Sequence, residues 1–237
     1  MVTAALYDIG RMIAGFDFYP WLVMQVQEGA TEIVFNKQSP KMDKYPMDQV
    51  LRRFESIIRP GPALAGLPYS FGTVGAQLAP FHQKDLVARC YAGIPVPRLK
   101  SVLPSGKERY TVTLRNIKRN PTRNSIEADW REFAAEIGAR VIPDYEDEPI
   151  HLHERMALYA GAEMNLFVSN GPVMLCFLSD CPAMGFDLNQ SNLGKLGVRD
   201  GQYPWLLPDR HRQIHETATL DVIRKHFYRW RDHHEWI

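Results

Sequence analysis

From Tyr110 to Phe186 the chain reads as a continuous alternation of strand and helix. Such alternation leads to a parallel sheet covered by helices. Tyr110-Thr-Val-Thr-Leu-Arg115 is a β-rich run that ends on an arginine, and a basic loop follows it. Asn124, with Glu127 three residues on, then reads as a capping box. Ile126, Trp130, Phe133, Ala134 and Ile137 give that helix an apolar face, and Gly138 suits its C′ position. Arg140–Ile142 is the next strand, and His151–Ala160 is a second helix stopped by Gly161. The strand Met164–Val168 runs into Ser169-Asn170-Gly171-Pro172, where Pro172 fits the first position of a further helix. Ala183–Phe186 is a short fourth strand. Residues 187–212 read as a long functional loop, and Leu220–Trp230 as an amphipathic closing helix.

The first half repeats the pattern less completely. An apolar run at Ala4–Tyr7 precedes a helix over Phe16–Gln27 closed by Gly29, then a strand at Thr31–Phe35. Met47–Arg59 is the best helix here, with Val50, Leu51, Phe54, Ile57 and Ile58 on one face and Pro60-Gly-Pro62 ending it. Residues 61–75 are rich in Gly and Pro and read as loop; residues 77–91 read as a helix interrupted near Pro80. The expected fold is α/β, with two Rossmann-like layers facing a central crevice. Residues 1–97 form one domain, and residues 98–237, with the closing helix, form the other.

Composition narrows the function classes. The 237 residues carry a formal net charge of +1, so no global field draws the protein to nucleic acid or an anionic membrane. No run of eighteen apolar residues exists to span a bilayer, and the amino terminus lacks the basic flank and apolar core of a secretory signal. Cys90, Cys176 and Cys181 sit in apolar contexts without metal-site spacing. They read as reduced, buried thiols, which points to a cytoplasmic protein.

Four clusters could carry chemistry. Arg115, Lys118, Arg119 and Arg123 place multi-donor cations between a strand and a helix start, as phosphate binding requires; a solvated basic loop is the plainer reading. Ser169, Asn170 and Gly171 open a helix beside a strand end, where a cap is the plain role and the glycine admits close ligand approach. In doubly wound sheets ligands bind outside the carboxyl ends of the strands, so these two clusters should converge on one anion. Asp144, Glu146, Asp147 and Glu148 could hold a divalent metal or form a solvated acidic turn. Asp8, just past the first strand, could act as a general base or cap the following helix. No Gly-x-Gly-x-x-Gly, Walker loop, Gly-x-Ser-x-Gly elbow or His-Glu-x-x-His is present, which counts against a dehydrogenase, an NTPase, an α/β-hydrolase and a zincin.

In residues 110–237 the strand ending at Arg115, the Arg119/Arg123 loop, the helix 151–160, the Ser-Asn-Gly-Pro turn and the tail helix together resemble a compact bacterial GT-B glycosyltransferase of the surface-polysaccharide type. The resemblance implies a nucleotide-sugar donor bound in the carboxyl-terminal domain, with Arg115, Ser169, Asn170 and Gly171 near its diphosphate. It implies a glycan or small-molecule acceptor on the amino-terminal side, and it allows Asp8 as base. The expected reaction is inverting, metal-independent sugar transfer to a hydroxyl, with no cofactor. Two departures stand out: the chain is shorter than such enzymes usually are, and no Glu-x7-Glu pair flanks the Ser-Asn-Gly-Pro turn. The competing readings are a non-catalytic nucleotide- or glycan-binding or assembly protein with a degenerate site, and a metal-dependent nucleotide-sugar hydrolase.

Overall fold

The computed structural model describes residues 4–7, 18–35, Leu51, 54–55, Leu64, 66–72, 83–96, 98–101, 103–118, 121–145, Ile150, 152–187 and 190–233. The chain is a mixed α/β protein that divides into two compact units: Met1–Leu86 with His151–His153, and Val87–Ile150 with Glu154–Ile237.

In the first unit, β1 (Ala4–Tyr7), β2 (Glu32–Phe35) and β3 (Tyr69–Phe71) form a parallel sheet in that order. Ile33, Val34 and Phe35 of the central strand are all buried, as a strand covered on both faces requires. The Phe35 ring packs edge-on against Phe54 (5.0 Å) and Tyr69 (5.6 Å). Helix α1 (Phe18–Gln27) ends where Gly29 takes φ 101°, the left-handed stop expected of it. The stretch read as a loop over 61–75 contains β3. Its Gly and Pro content hid a short strand, in which Pro68 gives its carbonyl to the Ile33 N–H (2.9 Å) and two aromatics follow. Of the helix expected over Met47–Arg59, only Leu51, Phe54 and Glu55 lie within the described residues.

The second unit begins within α2 (Gln83–Tyr91). It is built on β4 (Tyr110–Asn116), β5 (Arg140–Tyr145), β6 (Met164–Val168), β7 (Ala183–Phe186) and β8 (His211–Gln213). All five strands are parallel, in the order β5-β4-β6-β7-β8. Numbered within the sheet this is 2-1-3-4-5, a common doubly wound order whose direction of growth reverses between β4 and β6. The flanking helices are α3 (Glu127–Ile137), α4 (Leu152–Gly161), the short α5 (Val173–Phe177) and α6 (Gln190–Lys195), and α7 (Leu220–His233).

Strand alternation gives β4 two different faces. Tyr110, Val112 and Leu114 join Trp130 and Phe133 of α3 and Ile223 and Phe227 of α7 in one buried cluster. Full burial is worth about 1.5–3 kcal/mol for each large apolar side chain, so this layer is firmly held. Thr111, Thr113 and Arg115, on the opposite parity, are buried too. There Thr111 donates to the Asn165 carboxamide oxygen (2.6 Å), and the hydroxyls of Thr113 and Tyr159 lie 3.0 Å apart. Arg155, 1% exposed, donates to the Tyr159 hydroxyl (3.0 Å) and to the Pro143 carbonyl (2.7 Å). Burial pushes the Tyr159 hydroxyl up to about 12, so it stays protonated in this network.

Three local expectations change. β5 continues through Pro143 to Tyr145, which an edge strand tolerates because one side of its backbone needs no partner. The stretch read as a loop over 187–212 contains α6 and the first residues of β8. The capping box is absent: α3 starts at Glu127 behind Ile126, with no side-chain cap, because the Asn124 side chain is committed elsewhere.

Candidate functional site

The loop between β4 and α3 is closed by its own polar groups. Arg115 and Ser125 pair twice: the Arg115 N–H donates to the Ser125 hydroxyl, and the Ser125 N–H donates to the Arg115 carbonyl, both at 3.0 Å. The Asn124 carboxamide oxygen accepts from the Arg115 guanidinium (2.8 Å) and from the Ile117 N–H (2.9 Å). A single 3-10 turn, Pro121–Arg123, completes the loop, closed by the Asn124 N–H on the Pro121 carbonyl (3.0 Å). Arg115 is therefore not the exposed strand-end cation its position suggests. It is 6% exposed and spends at least one guanidinium donor inside the protein.

The loop instead holds out Arg123. Its guanidinium donates to the Ser169 carbonyl (3.0 Å) and reaches the Ser169 hydroxyl (3.3 Å). The basic loop after β4 and the turn after β6 thus meet by direct contact, at the carboxyl ends of the two strands between which the sheet order reverses. Arg123 is exposed and forms no ion pair among the described residues. Lys118 is exposed on the same loop, and Arg119 lies outside the described residues.

The turn Ser169–Pro172 is tied to β7 by the Ser169 N–H on the Phe186 carbonyl (2.9 Å). Asn170 is 7% exposed, and its carboxamide oxygen accepts the Val173 N–H (3.1 Å), the cap role that is the plain reading of this residue. Its amide nitrogen is buried and, among the described residues, has no hydrogen-bond partner. A buried donor left unmet costs on the order of 1–3 kcal/mol, so an acceptor supplied by a ligand would be favoured there. Helix α5 spans only Val173–Phe177, and its first N–H groups are already bonded to Asn170, Gly171 and Pro172. The anion-attracting helix start expected after Pro172 is correspondingly small. The donors on offer are the Arg123 guanidinium, the Ser169 hydroxyl and the Asn170 amide, with Gly171 between them and the helix.

Asp144 is buried on β5 in register with Arg115, while Glu146, Asp147 and Glu148 lie outside the described residues. Asp8 also lies outside them. Sequence reading passed over Tyr159 and Asn165, which tie β4 to β6 through Thr113 and Thr111, and Arg155, which ties Tyr159 to the Pro143 carbonyl of β5. The legible signal was the polar residues Thr111, Thr113 and Asn165 inside strands that are otherwise apolar. It also passed over Asp187, which directly follows β7 with a left-handed backbone (φ 56°). Comparison with protein-family models, curated proteins and solved structures returns no match.

Proposed function

We infer that the β4/β6 edge of the second unit binds the phosphate groups of a phosphate ester, and that the protein is a GT-B-like glycosyltransferase using a nucleotide-sugar donor. The observation that carries this reading is the contact of Arg123 with Ser169 where the sheet order reverses. It joins a multi-donor cation, a hydroxyl and the unmet Asn170 amide at the place where doubly wound sheets bind ligands. Arg123 would take one face of the diphosphate with its planar fork, and the Ser169–Gly171 turn the other. Arg115 would act through Asn124, setting the loop that presents Arg123.

In transfer, charge develops on the departing diphosphate, and fixed donors beside it lower the barrier. The acceptor hydroxyl must lose a proton. By the resemblance, Asp8 in the first unit would take it and the acceptor would bind on that side, with surface polysaccharide as the product class.

The test is a thermal-shift series with UDP, GDP, CMP and ADP, each with and without Mg²⁺. A ligand that binds only the folded state raises stability by about 2.7 kcal/mol at a hundredfold excess over its dissociation constant. At least one nucleotide should stabilise the protein equally with and without the metal. A strictly Mg²⁺-dependent shift would favour the hydrolase reading, and no shift with any of the four would contradict a nucleotide site.

A further inference from the structure

Asp187 is the one non-glycine residue among those described that holds a left-handed backbone, at φ 56°. That conformation is unfavourable for most residues bearing a Cβ and persists where the surroundings impose it. Here they do. The Asp187 N–H donates to the Glu216 carbonyl (3.3 Å), and the carbonyl of Phe186, just before it, receives the Ser169 N–H (2.9 Å). The residue is thereby pinned at the carboxyl edge of the sheet, one peptide from the turn that meets Arg123.

Its carboxylate is half-buried and faces an unusual set of neighbours. Both oxygens share one donor, the Ala218 N–H, at 3.3 Å each. Burial holds its carboxyl above the usual range and the Ala218 N–H pulls it down; among the described residues no cation pairs with it. A carboxylate has room for about four hydrogen bonds, so among the described residues most of its accepting capacity is unused.

We propose that Asp187 is the hydroxyl-binding residue of this site, accepting hydrogen bonds from the sugar hydroxyls of a ligand whose anionic part lies against Arg123 and the Ser169–Gly171 turn. This rests on the phosphate-ester reading and makes it more specific. A phosphate and an unpaired carboxylate repel, so the part of the ligand against Asp187 must be neutral and rich in O–H donors. Asn170 offers a donor without an acceptor, and Asp187 offers accepting capacity beyond the single Ala218 N–H. One molecule with phosphate oxygens at one end and hydroxyls a few ångströms away satisfies both. The hydroxyls of a nucleotide's ribose and those of a transferred sugar share this chemistry.

The experiment is calorimetric titration of wild type, Asp187→Asn and Asp187→Gly with pyrophosphate, UDP, GDP and ADP, their 2′,3′-dideoxy forms, and glucose 1-phosphate. Asparagine tolerates the left-handed backbone and keeps an acceptor for Ala218, and glycine removes the carboxylate with no backbone strain, so the two variants guard against loss of folding. Pyrophosphate should bind both variants as well as wild type, or a fewfold tighter, because a repelling charge is gone. A hydroxylated ligand should bind roughly ten- to a hundredfold more weakly. If the ribose is the partner, the variants lose the wild-type preference for ribo- over dideoxynucleotides. If the transferred sugar is the partner, glucose 1-phosphate weakens and that preference stays. Unchanged affinity for every hydroxylated ligand would overturn the proposal, as would pyrophosphate weakening in parallel with them, which marks a purely structural aspartate. A wild type that binds none of these probes would instead overturn the phosphate-ester reading and this inference with it.

Discussion

Arg115 and Arg123 occupy the two ends of one basic loop and have exchanged the roles their positions suggest. Arg115 closes an apolar run, which marks a residue near the sheet's carboxyl edge, and it is the penultimate residue of β4. What its position in the sequence does not convey is that Asn124, nine residues on, folds back to take its guanidinium. Arg115→Lys keeps the charge but loses the fork, and at a buried site that should lower stability by about 1–3 kcal/mol. Arg123→Ala removes an exposed side chain whose hydrogen bonds, among the described residues, go to Ser169. It should leave the unfolding midpoint nearly unchanged and weaken nucleotide binding roughly ten- to a hundredfold. Denaturant unfolding and calorimetry at matched salt separate the two effects. A stable Arg115→Lys, or an Arg123→Ala that binds as wild type does, would return the site to Arg115.

At the scale of elements, long periodic segments were legible and short ones were not. Strands β4 and β6 and helix α3 carry their patterns over enough residues to be read, and Gly138 closes α3 with φ 65° as expected. β8 has three residues and no alternation of its own to announce it. Its place is set by tertiary contacts, chiefly those of the fully buried His211. The His211 Nδ1 accepts the Leu207 N–H (3.0 Å), which leaves Nε2 to donate to the Cys181 carbonyl (3.1 Å). A proton on Nδ1 would meet an N–H instead of an acceptor. Burial first, and then the Arg98 guanidinium, lower this imidazole to about 4. Because the folded value lies below the ordinary 6.5, the unfolded chain binds the extra proton more readily. The contribution is complete above pH 6.5 and is lost as the pH falls toward 4. Between pH 7 and pH 4.5 the loss should be about 2–3 kcal/mol. His211→Gln, which offers an acceptor and a donor without titrating, should lose less stability over the same interval. Equal losses in variant and wild type, followed by urea unfolding, would show that β8 is not the acid-sensitive element.

For the whole molecule, alternation of strand and helix was enough to read a parallel α/β protein, because crossover helices force neighbouring strands into one direction. The strand order was not legible, since it depends on which edge each crossover returns to. That order decides where the sheet reverses, and so which loops meet. The convergence of the basic loop with the Ser-Asn-Gly-Pro turn was expected from general rules of such sheets; the contact of Arg123 with Ser169 gives it a location. The most direct measurement is amide chemical-shift mapping of the isotopically labelled protein titrated with pyrophosphate and with UDP, GDP, CMP and ADP. A phosphate site at the β4/β6 edge predicts the largest shifts at Ile117, Lys118 and Thr122–Ser125 and at Ser169–Gly171 and Val173, with the Arg123→Ala variant losing them. Shifts that centre elsewhere, or that survive in Arg123→Ala, would contradict it.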